Sequence, residues 1–195
     1  RNYKMKIEFV IPTYNRPNQL MGVISSIFSQ TSPNWKIHVV ADAVYDGYQK
    51  VKDYFNGDDR IRFTELNGPH KDWGHTPRNY GLQHATEEWV VMTGDDNYYM
   101  PVFVDDFLNS VDDKTHFVYC NMIHNWTQQQ YLHINSIPKL GAIDIGNFMS
   151  KTDLAKNIKL DTTNEQSDGL FVEEYLRKYP HGTIKKINKP LYVHN

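Results

Sequence analysis

The stretch Trp89-Val90-Val91-Met92-Thr93-Gly94-Asp95-Asp96-Asn97-Tyr98-Tyr99 decides how the chain folds. Its apolar run, residues 88–93 with their flanks, reads as a short buried strand. It ends abruptly in two adjacent carboxylates. Asp favours turns because its side chain bonds the nearby backbone, so a lone acidic pair is ordinary turn chemistry. Like charges side by side repel, however, and the surrounding sequence has to say whether something offsets them.

Reading outward, the same pattern recurs. Residues 7–11 form an apolar strand that leaves through the loop Pro12-Thr13-Tyr14-Asn15-Arg16-Pro17. Asn15 and Pro17 suit a helix start, and Leu20, Val23, Ile24, Ile27 and Phe28 then repeat at helical spacing. Residues 35–41 make a second strand ending at Asp42, 48–55 a helix, and 60–64 a third strand. A loop rich in Gly, Pro and His (67–77) and a helix over about 78–85 lead into the fourth strand. Strands alternating with helices predict an α/β fold: a Rossmann-like, mainly parallel central sheet flanked by helices, with right-handed crossovers. Ligands of such sheets bind outside the carboxyl ends of the strands, here marked by Thr13, Asp42 and Asp95-Asp96.

Beyond Asn97 the pattern changes. Residues 102–111 read as a helix, 116–121 and 130–134 as strands, and 141–150 as an apolar, Gly-punctuated strand region. Helices follow over 151–158 and about 168–179, and 191–194 make a short closing strand. Without repeats or linkers this is a single domain, with a nucleotide half over about 5–97 and an acceptor half over about 98–195.

The 195 residues carry 39% hydrophobic and 23% charged side chains and a net charge of -2, with no basic excess inviting nucleic acid, so any such role would need a local patch. Cys120, the single cysteine, excludes an internal disulfide and reads as an inert buried thiol. No run approaches the roughly 18 apolar residues of a membrane span, and no signal-peptide core opens the chain, so a cytoplasmic or cytosol-facing protein is expected. No role is read into residues 1–4, and the sequon Asn125-Trp126-Thr127 is read as chance.

Adjacent carboxylates at a strand end suit a hard divalent ion, Mn²⁺ or Mg²⁺, whose remaining positions are filled by water and phosphate oxygens. Arg78 offers a planar fork for such a phosphate. The segments Phe9-Val10-Ile11-Pro12-Thr13-Tyr14-Asn15-Arg16, Val39-Val40-Ala41-Asp42, Arg78-Asn79-Tyr80-Gly81-Leu82 and Gly94-Asp95-Asp96-Asn97 then stand in the order and approximate spacing of the inverting GT-A-fold glycosyltransferases of family 2. The first half of the chain resembles that family well, and the second half loosely. The resemblance implies that Pro12, Thr13 and Asp42 hold the nucleotide, with Arg78 near its base or diphosphate. It implies that Asp95 reaches the ribose or the diphosphate and that Asp96 is the principal metal ligand, in a DXD-like motif. One departure stands out: relatives often carry Asp-Asp-Gly-Ser after the second strand, where this chain has Ala41-Asp42-Ala43-Val44.

In that family the general base is an acidic residue opening a late helix. The matching stretch is Gln166-Ser167-Asp168-Gly169-Leu170-Phe171, which makes Asp168 the candidate base, with Glu165 as runner-up. Helix capping is the competing role for Asp168. His194 matches a late His that some members use on the metal, and an imidazole can join a mixed oxygen and nitrogen site for Mn²⁺. His70 and His75, around Trp73 and Gly74, are placed to touch phosphate or sugar or to be polar loop residues. Tyr98, Tyr99, Tyr119, Trp126 and Tyr131 suit an acceptor cleft or the core.

The expected function is therefore a metal-dependent inverting glycosyltransferase of the hexosyl or deoxyhexosyl type. It would use a nucleotide sugar, UDP-linked, and an acceptor hydroxyl on a carbohydrate or glycoprotein, with no nucleic-acid partner and no transmembrane segment. Two alternatives remain: a sugar nucleotidyltransferase, disfavoured because the loop after the first strand lacks glycine, and a non-catalytic nucleotide-sugar-binding module.

Overall fold

Strands β1 (Ile7–Thr13), β2 (Trp35–Ala41), β3 (Ile61–Glu65) and β4 (Trp89–Met92) pair in parallel, joined through helices α1 (Pro17–Phe28), α2 (Tyr48–Tyr54) and α3 (His75–Gln83). This computed structural model describes residues 5–125 and 130–195. Residues 1–4, and Trp126 and Thr127 of the sequon, lie outside the described residues. The second half adds β5 (Tyr98–Tyr99), α4 (Phe103–Ser110), β6 (Thr115–His124), β7 (Leu132–Ile134), β8 (Phe148–Lys151), α5 (Thr152–Ala155), α6 (Ser167–Lys178) and β9 (Thr183–His194). The sheet runs β3-β2-β1-β4-β8-β6-β9-β5, with β7 on β6. It is parallel through β1–β4 and mixed beyond, where β8 joins β4 antiparallel and β9 lies parallel to β6.

Alternate side chains of each strand point to opposite faces, and both faces here are apolar. Phe9 and Ile11 of β1 and Trp89 and Val91 of β4 enter one core with Leu20, Val23 and Ile27 of α1 and Phe103 and Phe107 of α4. Val10, Val90 and Met92 enter the other, under Leu82 of α3 and Phe171, Val172 and Tyr175 of α6. Each such side chain contributes about 1.5–3 kcal/mol by leaving water. Covering both faces leaves the strand ends as the place where polar groups of the central sheet meet solvent.

Strand β5 was not expected, and four further elements differ from the expectation. Helix α3 starts at His75 rather than about residue 78. Asp72 Oδ2 accepts the Thr76 amide at 2.9 Å, Gly74 takes the left-handed φ of 82°, and Pro77 falls in the first turn, where its missing N–H is harmless. Only Phe148–Lys151 of the 141–150 region is strand. The residues before it form a turn held by Asn147, whose Nδ2 donates to the Cys120 carbonyl at 2.9 Å and to Ser136 Oγ at 2.9 Å. Helix α5 is one turn, Thr152–Ala155. Strand β9 has 12 residues instead of a short closing piece; its lysines reach outward to Asp112, Asn135 and Asp106, so it carries little apolar pattern. Cys120 is fully buried and burial pushes its thiol pKa up, as an inert thiol requires. Among the described residues no helix is long and apolar enough to cross a membrane.

Candidate active site

The ends of β1, β2 and β4 open into one cavity of about 480 Å³, whose wall includes Pro12, Thr13, Asp42, Arg78, Asp95, Asp96 and His194. The sequence-predicted donor and metal residues are thus brought together from both halves of the chain. Thr13 ties two of the strand ends: its hydroxyl donates to Asp95 Oδ2 at 2.8 Å and lies 2.8 Å from the Tyr45 hydroxyl. Asp95 is 6% exposed, and burial raises its pKa to about 6, helped by neighbouring Asp96 and opposed by Thr13, Arg16 and Arg78. Asp96 is the more open of the pair. Arg16, brought over them by the left-handed Asn15 (φ 56°), places Nη1 2.6 Å from Asp96 Oδ2 and 3.4 Å from Asp95 Oδ1. A cation therefore already bridges the acidic pair.

Asp42 is held from the long loop. Its Oδ2 accepts the His70 amide at 2.8 Å, and its Oδ1 meets His70 Nδ1. The loop comes so close that a Cβ on Gly68 would lie 2.2 Å from the Asp42 carbonyl oxygen. This corrects the phosphate or sugar role considered for His70: it orients Asp42 and is not part of the cavity wall. His75 is likewise absent from the wall. It is buried, with Nε2 3.1 Å from the Asn164 carbonyl, and desolvation lowers its pKa. Arg78 is buried, and its Nε and Nη1 donate to the carbonyls of Thr93 (3.0 Å) and Trp73 (2.8 Å). It braces the acidic loop against the long loop while bordering the cavity.

Of the aromatics expected around an acceptor or in the core, none of the described ones lines this cavity. Tyr99 is buried, its hydroxyl donating to the Gly146 carbonyl at 3.0 Å, and Tyr98 lies over α1, where a Cβ on Gly22 would touch its ring. Tyr119 is half-buried beneath Lys186, and Tyr131 is exposed, bonded to Asn195. Trp126 lies outside the described residues. The aromatic part of the cavity wall comes instead from Tyr14 and Trp73, 44% and 52% exposed. Trp73 holds a φ of 56°, uncommon for a bulky residue and a mark of functional sites. In the sequence the available signal was Trp73-Gly74, a large aromatic beside a glycine in a polar loop.

Asp168 is the second residue of α6 and caps nothing beyond its own turn: Oδ1 accepts the Gly169 amide at 2.7 Å. Ser167 Oγ, beside it, accepts the Asp161 amide. Burial, then the negative charge of Asp144, raise the Asp168 pKa to about 6, while the Gly169 amide and Arg78 pull it down. Asp168 is not among the residues of the cavity wall; Asp144 and Arg78 lie close enough to it to shift its pKa. Glu165 is exposed on the preceding turn. Asp144 is the acidic residue that sequence reasoning passed over, a lone carboxylate inside the apolar run 142–148.

Among the described residues no three His, Cys, Asp or Glu side chains form a cage for a metal. Apart from Asp42 and Asp72, which hold His70 and Thr76, the donors on the wall are the carboxylates of Asp95 and Asp96 and the imidazole of His194, whose Nδ1 is buried without a hydrogen-bond partner among the described residues. That set fits a hard divalent ion which draws its other ligands from phosphate and water, and it does not fit a closed protein site.

The sequence profile of glycosyl transferase family 2 matches residues 8–172. An uncharacterized glycosyltransferase of Rickettsia felis is 22% identical over 134 residues, 68% of this chain and 21% of the relative. Staphylococcus aureus TarS, residues 1–349 in complex with UDP, superposes with a TM-score of 0.79 at 19% identity, over 97% of this chain and 60% of that one. The mannosyltransferase PcManGT of Pyrobaculum calidifontis, in complex with GDP-Man and Mn²⁺, gives 0.74 at 16% identity, over 99% and 57%. The chain thus spans about a fifth of the first relative's length and less than two thirds of either structure. The sheet order, the strand-end cavity and these superpositions agree on a GT-A fold, and the profile match places the chain in glycosyl transferase family 2.

Proposed function

We propose that the chain is a metal-dependent inverting glycosyltransferase that moves a sugar from a UDP-linked donor to a hydroxyl of a carbohydrate or glycoprotein acceptor. The observation that carries this is the gathering of Thr13, Asp42, Asp95 and Asp96, from three strand ends, with His194 around one cavity. The UDP and Mn²⁺ of the two structural neighbours agree with it. In this reading residues 5–97 form the donor half and 98–195 the acceptor half.

Asp42, fixed by His70, keeps lone pairs to accept the imide N–H of a uracil, and Pro12, Tyr14 and Trp73 provide apolar surface for the ring. Asp95, whose carboxylate already takes the Thr13 hydroxyl, faces the ribose hydroxyls. Asp96 and His194 would hold Mn²⁺ or Mg²⁺ for the diphosphate, and that ion would supply Lewis-acid stabilisation where negative charge grows on the leaving group. Arg16 and Lys71, cations of the same wall, add to it from the protein side.

Asp168 takes the proton of the acceptor hydroxyl as that oxygen attacks the anomeric carbon. The bond from that carbon to the diphosphate oxygen breaks, UDP leaves with the electron pair, and the configuration inverts. A pKa of about 6 suits this base: it is ionised at neutral pH yet more basic than an ordinary Asp.

The test is a titration of UDP and UDP-sugars with and without Mn²⁺, on wild type and Asp96→Ala. Wild type binds UDP more tightly with Mn²⁺ and transfers or slowly hydrolyses one UDP-sugar. Asp96→Ala loses both the Mn²⁺ effect and transfer. Unchanged metal dependence in that variant removes Asp96 from the metal.

A further inference from the structure

Asp144 is the buried carboxylate that the proposed mechanism leaves without a task. It lies in the turn before β8, 9% exposed. Its Oδ1 accepts the Tyr192 hydroxyl at 2.5 Å and the Gly146 amide at 2.9 Å, and its amide faces Asn147 Oδ1 at 3.3 Å. These bonds fix the carboxylate. Its other oxygen, Oδ2, lies 3.3 Å from His194 Nε2. Tyr192 and His194 are two residues apart on β9, so both meet Asp144 from the same face of the strand.

The imidazole of His194 is held on one face and at one nitrogen. Its ring stacks on His124 with centroids 4.2 Å apart and planes 13° from parallel. Nε2 faces a carboxylate, and Nδ1 is buried without a hydrogen-bond partner among the described residues, in a residue that borders the donor cavity. A neutral imidazole has one N–H and one lone pair, and its neighbours choose which nitrogen carries which. A carboxylate beside Nε2 draws the proton there and leaves the lone pair on Nδ1. Burying that lone pair unpaired is unfavourable unless a ligand uses it.

We propose that Asp144 is a positioning residue that fixes His194 in its Nε2–H form, so that Nδ1 is presented to the divalent cation of the donor complex. This rests on the metal-dependent reading above and adds to it the residue that makes His194 a competent ligand. It also explains an acidic residue in an otherwise apolar run: the carboxylate serves a ring 50 residues later in the chain. Carboxylates that hold the far nitrogen of a ligating imidazole typically change metal affinity by about 10–100-fold.

The first measurement needs no variant: ¹⁵N NMR of histidine-labelled, metal-free protein reports which nitrogen of His194 is protonated. Protonation at Nε2 is expected, and a wild-type His194 carrying its proton on Nδ1 overturns the proposal. In Asp144→Asn the amide oxygen can still accept from Tyr192 and Gly146, while an N–H group faces Nε2, so the proton moves to Nδ1. Mn²⁺ binding in the presence of UDP, followed by electron paramagnetic resonance, then weakens about 10–100-fold in Asp144→Asn. It weakens comparably in His194→Ala, and the double variant loses nothing more. If wild type and Asp144→Asn bind Mn²⁺ with UDP equally while His194→Ala does not, Asp144 has no positioning role. If the wild type binds UDP with no Mn²⁺ effect at all, the metal-dependent reading falls and this proposal falls with it.

Discussion

Two buried carboxylates sit at opposite ends of the same parallel sheet and are treated in opposite ways. Glu8, at the start of β1, is 1% exposed and fully served. Its Oε1 takes Arg62 Nη2 at 2.6 Å, and its Oε2 takes the amides of Thr86 (2.6 Å) and Glu87 (3.2 Å) and the Thr86 hydroxyl (3.3 Å). Asp95, just beyond β4, is nearly as buried but has one hydroxyl, a 3.4 Å contact to Arg16 and a like charge next door. At the base of the sheet the donors are complete: two backbone amides, a hydroxyl and a guanidinium. At the crevice they are incomplete, and the missing charge compensation is what a cationic or hydroxylated ligand would bring. The base end serves stability and the crevice end serves binding and chemistry.

The largest expected effect tests the crevice side alone. Asp168→Asn keeps the size of the side chain and removes its basicity, so transfer falls by roughly 10²–10⁴-fold while UDP binding holds and thermal stability does not fall. Steady-state kinetics beside a UDP titration checks it. Near-normal turnover would pass the role to another carboxylate, Glu165 first.

Glu8→Ala tests the other end and should invert that result. It leaves the Thr86 and Glu87 amides without their acceptor and strips Arg62 of its carboxylate partner, leaving it the His84 carbonyl, which costs about 1–3 kcal/mol. Denaturant unfolding reads the loss, while kcat at a temperature where the variant is folded stays near wild type. A stable Glu8→Ala with impaired transfer would erase the division between the two ends.

That division also separates what the sequence revealed from what it hid. The β1–β4 half was legible because β1, β2 and β4 are short apolar runs and α1 carries an apolar stripe, so the strand-end residues Thr13, Asp42, Asp95 and Asp96 could be placed on one edge from the sequence alone. The α3 start was missed because Asp72, Gly74 and Pro77 act together as a cap that no single residue announces. The second half resisted because β9 survives on hydrogen bonds to β6 and outward lysines rather than on apolar alternation, and its register shifts around Asn121. The pairing of Asp42 with His70, and of Asp144 with Tyr192 and His194, spans 28, 48 and 50 residues and depends on the tertiary fold. No local pattern encodes such contacts.

The smallest effect is the most direct test of why the crevice differs. The folded-state pKa of Asp95, about 6, lies above its ordinary value of 3.8. The folded protein thus holds this proton more tightly than the unfolded chain. The resulting stability is fully present below about pH 4 and is lost as pH rises through about 6. A shift of this size is worth on the order of 3 kcal/mol at most. Asp168 shifts in the same direction, so wild type alone cannot separate the two, but the difference between wild type and Asp95→Asn can. With chelator present, Asp95→Asn should unfold about 4–8 °C higher than wild type at pH 8, for about 2 kcal/mol, and within a degree or so of it at pH 4. The same variant should bind UDP more weakly with Mn²⁺, since its carboxylate is gone from the donor cavity. A lower melting temperature at pH 8 would mean that the Thr13 bond and Arg16 already compensate Asp95, and the crevice would then be as well satisfied as the base.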